Sequence, residues 1–241
     1  PTWLRRQRQM CIRDSLIPVP IHSEDEFNSK FIPPYLTETI NKLNVFAVEN
    51  IRTSRRFLRK INPNFNIDQT TFHVIDKRTE DSEYSNIINS LTKGYDVGVM
   101  SESGCPGIAD PGQKLCKLAH DKNIITKPLI GPSSIILALM ASGLNGQRFK
   151  FHGYLPIEKE NRIKEIKKIR QNTGAHIFIE TPYRNQKVYD DLVKNLKPDD
   201  RKLCVASDLT GRSESIFTKK ISELKQDKIT LKKYPTIFIL E

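Results

Sequence analysis

The stretch that decides the fold is Ser101-Glu102-Ser103-Gly104-Cys105-Pro106-Gly107-Ile108-Ala109-Asp110-Pro111-Gly112. It follows the apolar run Val97–Met100 and precedes a helical pattern that begins at Gln113. The stretch is therefore predicted at the carboxyl end of a buried strand, where open α/β sheets bind ligands. Its glycines and prolines fix an unusual backbone path and let a ligand approach the main chain closely. A tight connecting loop that holds no ligand would have a similar composition.

Strands alternate with helices on both sides of this stretch. In the first half, strands are predicted at residues 16–20, 45–49, 71–75, 97–100 and 124–126. This order predicts an α/β fold with a mostly parallel sheet and helices on both of its faces. The second half has fewer helices per strand, which predicts a mixed sheet. We expect one α/β domain at residues 16–130 and a second at residues 131–241.

Residues 1–15 do not share this pattern. They lack the periodicity of either a strand or a helix, and the chain does not start with Met. The segment from Arg5 to Ser15 resembles a translated sequencing-adapter read-through. We therefore expect residues 1–15 to be a non-native N-terminal stretch and the native beginning to be missing.

The net charge of +11 at neutral pH favours a polyanionic partner, above all a nucleic acid. A lysine-rich composition that serves only solubility would give the same charge. Arg52, Arg55, Arg56 and Arg59 belong to one helical segment that leaves a strand at the edge where ligands bind. We interpret these arginines as substrate-binding residues that contact phosphates. The basic helix at residues 159–170 has a stripe of isoleucines that explains its placement, so we interpret its charges as a solvated face.

Several classes of site are disfavoured by the motifs that the sequence lacks. There is no GxxxxGK[ST] phosphate loop, no GxGxxG dinucleotide fingerprint, no HExxH metal motif and no GxSxG nucleophile elbow. The four cysteines show no CxxC spacing, so we expect no metal site and reduced thiols in the cytoplasm. The longest apolar runs, such as residues 135–141, are too short to span a membrane, so we expect no membrane partner.

A second loop of the same kind is Gly131-Pro132-Ser133-Ser134. It precedes a helix at residues 135–142 that is apolar nearly all round, which predicts a buried helix at the seam between the domains. Two later strands end in polar turns, at residues 180–184 and 208–212. A site made of such loops binds through main-chain groups and small side chains. It suits a transferase whose substrate carries an activated leaving group, where orientation supplies much of the rate.

These loops together resemble the tetrapyrrole methylase family of S-adenosylmethionine-dependent enzymes, and within it the methyltransferases of the cytidine ribose 2′-oxygen in small-subunit ribosomal RNA. The matching segments are Ser103-Gly104-Cys105-Pro106, Asp110-Pro111-Gly112, Gly131-Pro132-Ser133-Ser134, Ala141-Ser142-Gly143-Leu144, Arg148-Phe149, Gly153-Tyr154-Leu155-Pro156, Glu180-Thr181-Pro182-Tyr183-Arg184 and Asp208-Leu209-Thr210. Their order and spacing agree with the family from about Leu16 to the end of the sequence.

The resemblance implies two α/β domains of the tetrapyrrole methylase type with the cofactor cleft between them, in a cytoplasmic homodimer. It implies S-adenosyl-L-methionine as the cofactor and 16S ribosomal RNA or the 30S subunit as the partner. The residues that would contact the cofactor are Ser103, Gly104, Cys105, Ser133, Ser134, Thr181, Pro182, Leu209 and Thr210. Asp110-Pro111-Gly112 is interpreted as the structural turn that starts the next helix, and Cys105 as a small lining residue.

Two alternatives remain open at this point. One is a tetrapyrrole C-methyltransferase of the same fold, whose substrate carboxylates would also favour arginines. The other is a non-catalytic RNA-binding protein on this scaffold, because His22-Ser23-Glu24-Asp25-Glu26 replaces the family's glycine-rich loop after the first strand. No catalytic residue is assigned. Glu49 and Glu102 are candidate general bases by their position at strand ends, where most acidic residues are only solvated or capping.

Overall fold

A computed structural model describes residues 13–17, 32–197 and 201–241 of this chain, and for residues 13–17 it describes the backbone alone. The chain divides into two compact units, Pro1–Ser133 and Ser134–Glu241. The division falls three residues after the domain boundary expected from the sequence.

The first unit contains a five-stranded parallel sheet. Its elements are β1 (Arg13–Ile17), α1 (Pro34–Ile40), β2 (Val45–Val48), α2 (Ile51–Ile61), β3 (Thr71–Val74), α3 (Asp81–Thr92), β4 (Val97–Met100), α4 (Gln113–Asp121) and β5 (Ile125–Pro128). The strand order is β3-β2-β4-β1-β5. β4 lies between β2 and β1, and Met100 pairs with Val48 on one side and Ile17 on the other. The segments that follow these strands therefore leave the sheet at one edge.

Alternate residues of β2 and β4 point into two hydrophobic cores, one on each face of the sheet. Phe46 and Met100 pack in the first core with residues of α1 and α2. Val45, Val97 and Val99 pack in the second core with residues of α3 and α4. Because both faces are covered, β2 and β4 are buried along their whole length, as central strands of a parallel sheet are.

β2 and β3 each end one residue before their predicted bounds, and β1 and β5 depart further. β1 begins at Arg13 instead of residue 16, so it includes three residues of the stretch expected to be non-native, while residues 1–12 and 18–20 lie outside the described part. β5 extends to Pro128 instead of residue 126. β5 is an edge strand with β1 as its neighbour, and an edge strand can accommodate a proline that has no N–H to donate.

The second unit contains a mixed sheet, as predicted. Its elements are α5 (Ser134–Ser142), β6 (Phe149–Tyr154), α6 (Lys159–Ile169), β7 (Ala175–Glu180), α7 (Asn185–Asn195), β8 (Lys202–Ser207), β9 (Ser215–Lys220), α8 (Ile221–Leu224) and β10 (Thr236–Leu240). The strand order is β6-β7-β10-β8-β9, in which only the β6–β7 pair is parallel. β10 occupies the centre of the sheet although it is the last strand in the sequence.

The prediction that α5 is buried all round was wrong. Ile135, Ala138 and Leu139 are buried against the second sheet. Ile136 and Met140, on another face of the helix, are 45% and 76% exposed. The sequence could not separate the two faces because nearly every residue of the helix is apolar and the helix has no amphipathic signal.

α6 also departs from its interpretation as a helix with a solvated basic face. Its lysines are exposed, but Arg162 is completely buried. The Nε and Nη2 atoms of Arg162 donate to the carboxylate of Asp191 at 2.8 and 2.5 Å. Its Nη1 atom donates to the carbonyl oxygens of Pro156 and Ile157. Arg162 therefore holds the segment after β6 against α7 and contributes no surface charge.

Candidate functional site

The loop from Ser101 to Gly112 follows β4 and folds back on itself. The N–H of Gly107 donates to the carbonyl oxygen of Pro111 at 3.0 Å. Gly107 and Gly112 have φ angles of +80° and +132°, in the region that favours glycine. Ala109, between them, has a φ of +65°, which is uncommon for a residue with a side chain. The loop thus has a strongly constrained backbone at the carboxyl edge of the first sheet.

The predicted cofactor-binding residues of this loop lie on its accessible side. Ser103 is exposed, and Gly104 and Cys105 are half-buried. Gly104 has a φ of +78°, and a Cβ atom added to it would meet nothing within 4 Å. Its main chain therefore borders open space, which is a requirement for close approach of a ligand.

Cys105 joins this loop to the second predicted loop. Its thiol donates to the carbonyl oxygen of Pro132 at 3.6 Å. Burial raises the pKa of the Cys105 thiol, and a hydrogen bond with the Ser133 side chain only partly opposes this effect. A thiol with a raised pKa stays protonated at neutral pH and is a poor nucleophile. The geometry agrees with Cys105 as a lining residue. Ser134 begins α5 and belongs to the second unit.

Three carboxylates gather at the same edge. Glu49 follows β2 and Glu102 follows β4, and these strands are neighbours in the sheet. The Glu49 carboxylate accepts a hydrogen bond from the main-chain N–H of Glu102 at 3.3 Å. The Glu102 carboxylate accepts one from the hydroxyl of Thr53 at 2.5 Å. Asp110, further along the loop, is half-buried and interacts electrostatically with both glutamates.

Asp110 has a raised pKa that the sequence did not indicate. The pKa of its carboxyl is raised from 3.8 to about 6. Burial is the largest cause and the charges of Glu49 and Glu102 add to it, whereas a hydrogen bond from Ser101 and the charge of Lys77 oppose it. The sequence indicated only a structural turn here. No pattern in the sequence reports the desolvation of a carboxyl group, so this feature could not be found from the residues alone.

This edge fits a cationic ligand with polar ends. S-adenosylmethionine carries a positive sulfonium and an ammonium group, and negative charge at Glu49, Glu102 and Asp110 would attract both. The open main chain at Gly104 offers the close backbone approach that the family resemblance requires. The residues that are present therefore suit the cofactor.

α2 begins at this edge and carries the four predicted substrate-binding arginines. The side-chain oxygen of Asn50 caps the helix by accepting from the N–H groups of Arg52 and Thr53. Ser54, Phe57 and Leu58 are buried on one face of the helix. The arginines are all exposed on the other side: Arg52, Arg55, Arg56 and Arg59. The guanidinium of Arg55 lies 5.3 Å from the centre of the Phe72 ring.

In the second unit, the turn after β7 contains the predicted residues Thr181 and Pro182. The buried carboxylate of Glu180 accepts from the N–H of Thr181 at 2.8 Å. The guanidinium of Arg184 lies 3.0 Å from the other oxygen of Glu180 and donates to the carbonyl oxygen of Leu155 at 3.0 Å. Thr181 is exposed and Pro182 is half-buried. The turn is thus fixed from within by one ion pair, with its outer side accessible.

The turn after β8 is strained at two residues. Asp208 and Thr210 have φ angles of +50° and +67°. Leu209, between them, is only 4% exposed and packs in the core, so its side chain cannot reach a ligand and only its main chain is available for the predicted contact. The Asp208 carboxylate accepts from the N–H of Ser213 at 2.9 Å. A Cβ atom on Gly211 would lie 2.3 Å from this carboxylate, which explains the glycine there.

Thr236 of β10 connects these two turns. Its hydroxyl accepts from the side-chain amide of Asn185 at 3.2 Å and shares a hydrogen bond with the Ser207 hydroxyl at 3.0 Å. Thr236 pairs with Glu180 on one side and Ser207 on the other. The structure therefore brings the Thr181-Pro182 turn and the Leu209-Thr210 turn to the same edge of the second sheet.

Within the described part of the chain, no helix is both long and apolar enough to cross a membrane.

Comparisons with known proteins agree with this architecture. Residues 32–225 match the family model described as Tetrapyrrole (Corrin/Porphyrin) Methylases. The protein named ribosomal RNA small subunit methyltransferase I from Buchnera aphidicola subsp. Schizaphis graminum (strain Sg) is 29% identical over 94% of this chain and 77% of that protein. Its namesake from Buchnera aphidicola subsp. Acyrthosiphon pisum (strain APS) is 30% identical over 86% of this chain and 70% of that protein.

A solved structure shows the same fold. The crystal structure of diphthine synthase superposes with a TM-score of 0.65 over 95% of this chain and 89% of that chain, at 12% identity. The family resemblance and the fold class expected from the sequence are confirmed. With two α/β units, paired loops at the sheet edges and a family match over most of its length, this chain belongs to the tetrapyrrole methylase family and is a methyltransferase whose methyl donor is S-adenosylmethionine.

Proposed function

We propose that this enzyme methylates the ribose 2′-oxygen of a cytidine in small-subunit ribosomal RNA. The observation that carries this proposal is the match of most of the chain to proteins whose names state a small-subunit ribosomal RNA methyltransferase. The finer target, a cytidine ribose oxygen, comes from the motif resemblance. Cytoplasmic localisation follows from the same substrate.

The arginine row of α2 supports an RNA substrate. Because Asn50 caps the helix directly after β2, Arg52 lies in the first helical turn at the carboxyl edge of the sheet. Arg59 lies seven residues further along, which is about 10 Å at the rise of an α-helix. Exposed guanidinium groups along this row suit the successive phosphates of one RNA strand, which Arg contacts through paired N–H donors.

The carboxyl edge of the first sheet supplies groups suited to methyl transfer. The reaction forms a bond between the ribose oxygen and the methyl carbon, breaks the carbon–sulfur bond of the donor and releases the hydroxyl proton. We propose Ser103, Gly104 and Cys105 as main-chain contacts of the donor, with Ser133, Ser134, Thr181, Pro182, Leu209 and Thr210 as the further contacts. Glu49 and Glu102 remain candidates to accept the hydroxyl proton, and Asp110 joins them because its pKa of about 6 lies close to neutral pH.

We also propose that the enzyme is a homodimer. Ile136 and Met140 of α5 expose apolar side chains on a helix that otherwise packs against the second sheet. A second copy of the chain would remove this surface from water, and sedimentation velocity would measure the resulting mass. Met140→Lys is expected to shift the protein towards the monomer, whereas the exposed Lys164→Glu is not.

The deciding experiment is transfer of a labelled methyl group from S-adenosylmethionine to undermodified 30S subunits. We expect label in the RNA and, after digestion, in 2′-O-methylcytidine. Uroporphyrinogen is the parallel substrate, and label on it alone would establish the tetrapyrrole C-methyltransferase alternative.

A further inference from the structure

Tyr183 has an aromatic side chain that extends into solvent and does not pack in the core. It is 86% exposed, more than any other large hydrophobic residue in the described part of the chain. It lies in the turn between β7 and α7, between the half-buried residues Pro182 and Arg184. An isolated exposed ring needs no explanation by itself, but this ring stands on an unusually well fixed turn.

The residues around Tyr183 anchor the turn on both sides. Before it, Glu180 binds the N–H of Thr181 and is paired with Arg184. After it, the buried side chain of Asn185 donates to the carbonyl oxygen of Lys232 at 2.7 Å and to that of Tyr234 at 3.1 Å. A ring on such a turn loses little conformational freedom when a planar group stacks on it, so its contact area is available at low entropic cost.

Three exposed lysines lie on the two segments that adjoin the Tyr183 turn. Lys187 is exposed in the first turn of α7, four residues after Tyr183. Lys232 and Lys233 are exposed in the segment that the Asn185 side chain holds against the start of α7. An accessible aromatic ring with exposed lysines on the adjoining segments is an arrangement by which proteins hold single-stranded nucleic acid, with the ring under a base and the cations near the phosphates.

We propose that Tyr183 stacks on an unpaired nucleobase of the RNA substrate, while Lys187, Lys232 and Lys233 contact its backbone. This inference rests on the proposed function, because it requires an RNA substrate. It adds a second RNA contact, in the second unit, to the arginine row of α2. An interface with a second copy of the chain suits this surface less well, because the three exposed lysines of the adjoining segments would have to be desolvated.

The test compares Tyr183→Ala with Tyr183→Phe and Tyr183→Trp. We expect Tyr183→Ala to weaken binding of a single-stranded oligocytidylate of about twelve nucleotides roughly tenfold and to raise the KM for undermodified 30S subunits by a similar factor. Phe and Trp keep a stacking face and should bind within about twofold of the parent. In a Trp3→Phe background, the fluorescence of the Tyr183→Trp protein should be quenched by the oligonucleotide.

Salt dependence separates stacking from charge. Tyr183→Ala should leave the slope of log K against log salt unchanged, because stacking releases no counterions. Lys187→Ala should reduce the slope by about 0.7. Unchanged RNA binding in Tyr183→Ala would overturn the inference. So would a weakened affinity for S-adenosylmethionine or dissociation of a dimer, which would assign the ring to the donor site or to a subunit interface.

The same experiment distinguishes this inference from the proposed function. If the parent enzyme methylates 30S subunits and Tyr183→Ala binds RNA and methylates the subunits equally well, the proposed function is supported and the role of Tyr183 is contradicted. A parent enzyme that binds neither RNA probe and transfers no methyl group to the subunit contradicts both.

Discussion

Gly112 lies so close to Gly107 that a Cβ atom on Gly112 would stand 3.1 Å from the main-chain nitrogen of Gly107. The contact closes the end of the loop that follows β4. Two residues without side chains therefore meet where the chain folds back on itself, and the N–H of Gly107 donates its hydrogen bond to the carbonyl oxygen of Pro111 at this point.

We expect Gly112→Ala to destabilise the protein by about 1–3 kcal/mol, because alanine is strained at a φ of +132° and its Cβ would press on the backbone of Gly107. Thermal unfolding and calorimetric binding of S-adenosylmethionine measure the effect. Gly146→Ala is the matched control, since a Cβ there meets nothing within 4 Å. Equal melting temperatures for the two variants would show that the close approach is unimportant.

Asp110→Asn should stabilise the protein at pH 7.5 and have little effect near pH 4. The pKa of Asp110 is about 6 in the folded protein against an ordinary value of 3.8, so the native state binds more protons between these values. The stability contributed by the protonated carboxyl is therefore present below about pH 4 and lost as the pH rises through 6. Asparagine resembles the protonated form at every pH.

Urea unfolding at several pH values between 4 and 8 would measure this difference. The exposed Asp68→Asn serves as the control and should show no comparable dependence. A constant difference between Asp110→Asn and the parent across this range would argue against the raised pKa.

Arg162→Met should destabilise the second unit by about 3–5 kcal/mol, because it leaves the Asp191 carboxylate and two carbonyl oxygens without their donor in a buried place. Denaturant unfolding followed by circular dichroism measures the change. Lys164→Met, at an exposed position of the same helix, should change stability by less than about 0.5 kcal/mol.

A second variant tests the reason for this loss. Adding Asp191→Leu to Arg162→Met removes the unpaired carboxylate, so part of the stability should return. No recovery in the double variant would mean that the loss comes from packing of the arginine side chain and not from the stranded charge.

Arg55→Ala should weaken RNA binding and lower its salt dependence by about 0.7 in the slope of log K against log salt, the value for one phosphate contact on a single strand. Filter binding at several salt concentrations gives the slope. Lys164→Ala, at an exposed position of α6, controls for the general loss of one positive charge. The same slope in Arg55→Ala and the parent would exclude a phosphate contact at Arg55.

The sheets could be predicted from the sequence because their strands are apolar runs of the right length. Val45–Val48 and Val97–Met100 are buried on both faces and contain no charged residue. β1 shows the limit of this reasoning. It includes Arg13, Asp14 and Ser15, yet its backbone pairs with β4 on one side and β5 on the other. Backbone hydrogen bonds do not depend on the type of side chain, so a strand can include charged and polar residues that no apolar pattern in the sequence indicates.

The candidate site was predictable in its position and not in its electrostatics. The glycine- and proline-rich loops stand at strand ends, as the sequence indicated, and Cys105 joins the two loops of the first unit. The raised pKa of Asp110 depends on burial and on Glu49, which is distant in the sequence. The burial of Arg162 depends likewise on Asp191 of α7, which is separated from α6 by β7 along the chain. Neither partner can be identified until the fold has brought the residues together.

The central position of β10 has a consequence for the order in which the protein assembles during translation. β10 lies between β7 and β8 in the second sheet and pairs with both of them, so these two strands are joined only through β10. The second sheet can close only after residues 236–240 have left the ribosome, whereas every strand of the first sheet is synthesised by Pro128. The first unit can therefore fold on the nascent chain while β7 and β8 still await the strand that joins them.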